Sequence, residues 1–114
     1  MSFPELRAAI YRPGQAHMPI EPVSIVDMRD NEVLVKVVAA GICHTDLTFL
    51  HDFMQLPYPA ILGHEGAGVV ERVGKAVTKV APGGRVVLSF VSCGVCPNLL
   101  AGQASACDVL VGLN

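Results

Sequence analysis

The chain has 114 residues, room for one domain with a core of its own, and carries 52% hydrophobic and 16% charged side chains at a formal net charge of −2. That charge, with no basic stripe and no block of like charges, argues against nucleic acid or an anionic membrane as the main partner. No apolar run approaches the roughly 20 residues of a membrane span, and "MSFPELRAAIYR" lacks the apolar core and cleavage site of a signal peptide, so the expectation is a cytoplasmic protein.

Leu6 to Arg12, "LRAAIYR", reads as a short strand stopped by Pro13-Gly14. Glu21 to Asp27, "EPVSIVD", is a second strand, with Pro22 marking an edge or a strand start. "DMRDN" turns into the strongest strand signal, Glu32 to Ile42, a Val-rich run that reads as a buried strand ending near Gly41. Between Thr45 and Met54 the pattern predicts one short helix, with Thr45 as cap and Asp46 favouring its positive end. "PYPAILG" must be extended or turning because of its prolines. Gly66 to Gly74 is a fourth strand, and Gly83 to Phe90 is a fifth, entered through the turn "APGG". After Ser92 small residues follow without a period, as in a loop or lobe.

Short strands between turn signals predict a mostly β domain, a barrel or a sandwich, with short helices. No internal repeat, low-complexity tract or linker interrupts it. There is no nucleotide fingerprint: "GAGVVE" puts Glu71 where the third glycine would stand and lacks a strand-to-helix setting.

The chemistry concentrates in "GICHTD" and "LGHEGAGVVERVG". His64 and Glu65 are costly to bury without a compensating partner. Cys43 offers a thiolate and His64 an imidazole, a zinc-type donor pair, and Glu65 is a further, exchangeable ligand or a brace for the others. Asp46 is placed to orient an imidazole from behind, and Thr45 supplies a hydroxyl for passing a proton. Singly, a buried cysteine or a lone histidine reads as packing; it is the two motifs together that indicate a site. His17 and His51 have no companions and read as surface residues. Cys93, Cys96 and Cys107 crowd near the C-terminus, and in a cytoplasmic chain such cysteines are more often ligands or thiols than disulfides.

Residue by residue, "GHEGAGVVERVGKAV" satisfies the pattern G-H-E-x-x-G-x5-[GA]-x2-V of zinc-containing medium-chain alcohol dehydrogenases. "AGICHTDL" resembles the family segment that supplies the first zinc cysteine, and "VAPGGRVV" resembles its "PGDRV" turn, with Gly84 in place of the usual Asp. "SCGVCPNLLAGQASAC" resembles its structural-zinc lobe. The resemblance runs from Leu6 to Asn114 in order and spacing, and its wording is nearest the aryl or benzyl alcohol dehydrogenases.

This resemblance implies a GroES-like β-barrel holding a catalytic zinc. Cys43 and His64 would be two of its three protein ligands, with Glu65 beside the metal and sometimes replacing water. Thr45 would begin the proton relay, His44 would lie near the cofactor's phosphates, and Asp46 would partner His64. It further implies a zinc that lowers the pKa of a small alcohol, and hydride transfer to NAD(P). Relatives continue into a dinucleotide-binding domain that also brings the third zinc cysteine; residues 1–114 hold neither, so the expectation is a single truncated domain inefficient alone.

Two further departures concern the site itself. The family lobe reads C-x2-C-x2-C-x7-C, but here the third position is Leu99, so Cys93, Cys96 and Cys107 either hold a structural zinc completed by water or another donor, or are three free thiols or form a Cys93–Cys96 disulfide on oxidation. Thr48 stands where relatives often place a relay histidine. Two other functions stay open: a zinc-dependent ester or lactone hydrolase using an open metal face, and a non-catalytic barrel that self-associates through an uncovered apolar face. Phe49, Phe53 and Leu56 are candidates for an apolar pocket near the metal, or for plain core.

Overall fold

In the computed structural model, which describes residues 5–57, 59–103 and 106–107, strand β1 (Leu6–Ala9) pairs antiparallel with β2 (Ile20–Val23). Residues 1–4 and 108–114, used above for the leader and for the far end of the resemblance, lie outside the described residues. Pro22 is tolerated in β2 because, among the described residues, β2 has β1 as its one strand partner, so the missing N–H breaks no second ladder. Arg12, just past β1, closes this pair with a two-pronged ion pair to Glu21, at 2.6 and 2.8 Å.

The second sheet has the order β3 (Val33–Ala40), β4 (Gly66–Val73), β5 (Arg85–Leu88), all antiparallel. Two register shifts, at Leu34/Val35 and Val37/Ala39, interrupt the β3–β4 ladder and increase its local twist. The turn into β5 follows from its sequence: Pro82 fixes one corner, Gly83 takes φ +88°, and the Gly84 amide donates to the Ala81 carbonyl at 3.0 Å. Two short helices complete the order, α1 (His44–Leu50) and α2 (Pro97–Leu100). The helix is capped by Cys43 and not by Thr45: the Asp46 carboxylate accepts the Cys43 amide at 3.0 Å, and Thr45 is already inside the first turn. It stops at Leu50, short of the expected Met54, because Asp52 enters the left-handed region at φ 60°.

Mostly β with short helices is the architecture found, but the sheets do not close into a barrel. Closure requires every strand edge to find a neighbour. Among the described residues β1–β2 and β3–β4–β5 are separate sheets, joined across the loops by the isolated Tyr11–Ala60 bridge, and β3 and β5 have no further strand neighbour. The physical reason is visible in burial. The buried apolar side chains among the described residues are Ile10, Tyr11, Val70 and Cys107, too few to draw two sheets around a common core. Val38 is 74% exposed and Val87 is 83% exposed, so the Val-rich β3, expected to be buried, is half open to solvent. The chain exposes 8502 Å², where a compact monomer of this length exposes about 6,000 Å². What ties the layers together is Tyr11, 1% exposed, whose ring meets Phe49 of α1 edge-on at 5.9 Å. No helix among the described residues is long and apolar enough to cross a membrane.

Candidate metal centre

The site grows out of strand register. Ala40 pairs with Gly66 and Gly66 pairs with Leu88, so β3 and β5 run out of the sheet at the end where β4 enters it. Continuing the β3–β4 ladder by one residue sets Gly41 against Glu65, and the Gly41 amide indeed donates to the Glu65 carbonyl at 2.7 Å. Continuing the β4–β5 ladder by two sets His64 against Phe90, and their rings are stacked, 4.2 Å between centroids and 19° between planes. Cys43, two residues beyond Gly41, reaches the same end of the sheet.

There Cys43, His64 and Glu65 each bring one donor atom, and the three donors lie within 4.8 Å of one another. Cys43 and His64 are half-buried, and Glu65 is exposed. A thiol sulphur, an imidazole nitrogen and a carboxylate oxygen make a mixed set that suits a borderline-soft ion such as zinc, and three donors leave a position open. Gly41 makes room for it: a Cβ at that position would run into the Glu65 carboxylate and come within 3.2 Å of its Cβ.

The neighbours expected from sequence sit as follows. The Cys43 thiol donates to the Thr45 hydroxyl across 3.6 Å. Asp46 spends its carboxylate on the Cys43 amide, thereby fixing the thiol's backbone, and makes no hydrogen bond to His64. His44 is exposed on the first turn of α1, and its carbonyl accepts the Thr48 hydroxyl at 3.0 Å. His17 and His51 are exposed and away from the cluster.

Beside the donors opens a cavity of about 890 Å³, with Met18, Val37, Ile42, Leu50 and Ile61 among its apolar walls and His64, Glu65 and Asp46 on its polar side. Phe49, Phe53 and Leu56 are not among its walls; Phe49 packs on Tyr11 and Phe53 is 82% exposed. Phe90 and Gly41 are the functional neighbours that motif reading missed, and extending the strand ladders past their last bonds is the signal that finds them.

A second cluster lies in the lobe after β5. Cys93, Cys96 and Cys107 bring their three sulphurs within 4.8 Å of one another, and all four cysteines of the chain are free thiols. This set does not fit a closed tetrahedral zinc of four cysteines, because Leu99 carries no donor.

The family described as the alcohol dehydrogenase GroES-like domain matches residues 29–113. The chain is 44% identical over 112 residues to geraniol dehydrogenase of Castellaniella defragrans, covering 98% of this chain and 30% of that enzyme. It is 41% identical over 104 residues to the NDMA-dependent alcohol dehydrogenase of Amycolatopsis methanolica, covering 90% of this chain and 28% of that one. Among solved structures, benzyl alcohol dehydrogenase of Acinetobacter calcoaceticus superposes with a TM-score of 0.89 at 38% identity, over 98% of this chain and 31% of that one. An alcohol dehydrogenase zinc-binding domain protein of Burkholderia ambifaria gives 0.88 at 46% identity, over 95% and 29%. The chain thus spans about three tenths of the length of the relatives it matches.

Proposed function

We propose that this chain, which belongs to the zinc-type medium-chain alcohol dehydrogenase family through its GroES-like domain, is the part of an alcohol-oxidising enzyme that holds the catalytic zinc and receives the alcohol. The observation that carries the reading is the convergence of the Cys43, His64 and Glu65 donors within 4.8 Å of one another, two of them, His64 and Glu65, lining an apolar cavity. Cys43 and His64 would hold the ion, with the exposed Glu65 as an exchangeable donor. Zinc bound there supplies a Lewis acid that makes the hydroxyl of a bound alcohol more acidic.

The rest is done by the chain's own side chains. Asp46 anchors the backbone of Cys43, and Phe90 fixes the plane of His64. The Thr45 hydroxyl, beside the thiol, takes up the proton that the alcohol gives away and passes it towards solvent. His44, exposed at the start of α1, meets the phosphates of a nicotinamide cofactor. The apolar walls of the cavity receive the carbon skeleton of a small apolar alcohol or aldehyde. NAD(P) and a third cysteine ligand come, on this reading, from a dinucleotide-binding domain outside residues 1–114. The working compartment is the cytoplasm, where thiols stay reduced. The exposed valines of β3 and β5 are contact surface, through which the chain by itself self-associates.

Elemental analysis tests the proposal. Reduced chain, purified without added zinc in a Cys93→Ser, Cys107→Ser background so that the second cluster is silent, holds one zinc per chain. Cys43→Ala in that background loses it. Zinc retained by the Cys43→Ala variant contradicts the assignment.

A further inference from the structure

The three-stranded sheet is apolar on both of its faces. A sheet that keeps one face in water alternates apolar with polar residues. Yet Lys36 is the polar residue of β3, VLVKVVAA, and Arg85 that of β5, RVVL. Register sorts the side chains by face, because residues directly opposite one another across antiparallel strands leave the sheet on the same side. The row Ala40–Gly66–Leu88 faces the cavity, which all three line. The adjacent row, Ala39–Ala67–Val87, therefore faces the other way, and none of its members lines the cavity. Val87 is 83% exposed there, and Val38, beside Ala39 at the register shift, is 74% exposed. The next row of this face is Lys36–Val69–Arg85, so both cations stand at the rim of the apolar patch.

Area and shape select what covers this face. The chain exposes about 2,500 Å² more than a compact monomer of its length, whereas each partner in a stable dimer gives up about 800 Å². Val38 and Val87 stand at the two ends of the row and the small Ala39 and Ala67 lie between them, so one surface carries both the knobs and the hollows of a two-fold contact. The row itself holds no polar side chain for an unlike partner to match, and the exposed Lys36 and Arg85 keep their charged heads in water. We propose that this outer face, centred on Ala39, Ala67 and Val87, is where a second copy of the chain docks face to face, the valines of each copy seated on the alanines of the other. The two sheets then make a sandwich about 10 Å thick, and the cavities with their Cys43, His64 and Glu65 centres stay open on its outer sides. The inference rests on the self-association stated above and gives it a surface and a symmetry.

The test is sedimentation equilibrium of the reduced chain across a wide concentration range, with zinc content measured on the same samples. It should give one monomer–dimer equilibrium and no larger species. Val87→Lys, which places an unpaired charge in the contact, raises the dissociation constant at least about tenfold. Val38→Lys, on the other outer strand, does the same, and circular dichroism checks that both variants fold. Phe53→Lys, as exposed as Val87 but on neither sheet, leaves the dimer unchanged. Monomer at every concentration overturns the proposal, and so does an open-ended series of aggregates. A dimer that ignores both valine variants, or that Phe53→Lys weakens as much, puts the self-association on another face and overturns it too. Zinc content keeps the two assignments apart: a zinc-free dimer contradicts the metal centre alone, and a zinc-bound monomer contradicts the docking face alone.

Discussion

The imidazole of His64 lies flat against the ring of Phe90, centroids 4.2 Å apart, although 26 residues separate them in the chain. The contact is a consequence of register: His64 precedes the β4–β5 ladder by two residues and Phe90 follows it by two, so both side chains leave the sheet on one face. A ligand whose ring plane is set by packing loses less orientational freedom when it binds. Phe90→Ala should therefore weaken zinc binding about tenfold, the scale at which groups behind a ligand act. Phe90→Tyr, which keeps the ring, should restore it. Competition with a chromophoric chelator measures both, and an unchanged affinity in Phe90→Ala would show the stacking to be incidental.

Gly41 and Glu65 are the second pair on which the centre depends. A methyl group at position 41 collides with the Glu65 side chain, which has to turn away from the donor cluster. Gly41→Ala should leave the circular dichroism spectrum of the chain intact and lower its zinc affinity. Glu65→Ala, which removes the obstacle, should make the Gly41→Ala change nearly neutral. A double-mutant cycle reads the coupling.

Tyr11 is buried, and its hydroxyl has no hydrogen-bond partner among the described residues. An unpaired buried hydroxyl costs free energy that a phenyl ring does not. Tyr11→Phe should be neutral or stabilising by about 1 kcal/mol in urea unfolding. A loss of that size would mean that the hydroxyl has a partner outside the described residues.

The Arg12–Glu21 pair fixes the pH response of the β1–β2 end. The hydrogen-bonded guanidinium holds the Glu21 carboxyl below the usual carboxylate range, and the same contact raises Arg12. Since the folded-state value is the lower one, the contribution of Glu21 is complete above the unfolded carboxyl range and is lost as the pH falls through the folded value. The pair is about one-third exposed on each side, so the effect is that of a screened surface pair. Glu21→Gln should lower the melting temperature slightly at neutral pH, and the gap should close as the pH is taken down to about 3. A gap that persists there would assign the loss to packing.

Much of this was legible in the sequence, because it depends on local patterns. The five strands, the helix after Cys43 and the nearness of Cys43, His64 and Glu65 follow from β-branched runs, turn residues and motif spacing. What the sequence hid depends on long-range closure. Val-rich β3 and β5 look like the walls of a closed barrel, and nothing local says that their outer edges find no partner among the described residues. Thr45 is a better cap by residue type, yet Cys43 takes the position because Asp46 lies three residues on and reaches back to its amide. Phe90 has the composition of a core residue, and it becomes part of the centre by virtue of a register that motifs do not encode.

Anomalous diffraction at the zinc edge, from crystals of the reduced chain grown with zinc, tests the central claim most directly. The account predicts a peak bonded to Cys43 Sγ and a ring nitrogen of His64, at about 2.3 and 2.0 Å respectively. No peak between those two residues, or one confined to the lobe of Cys93, Cys96 and Cys107, would contradict it.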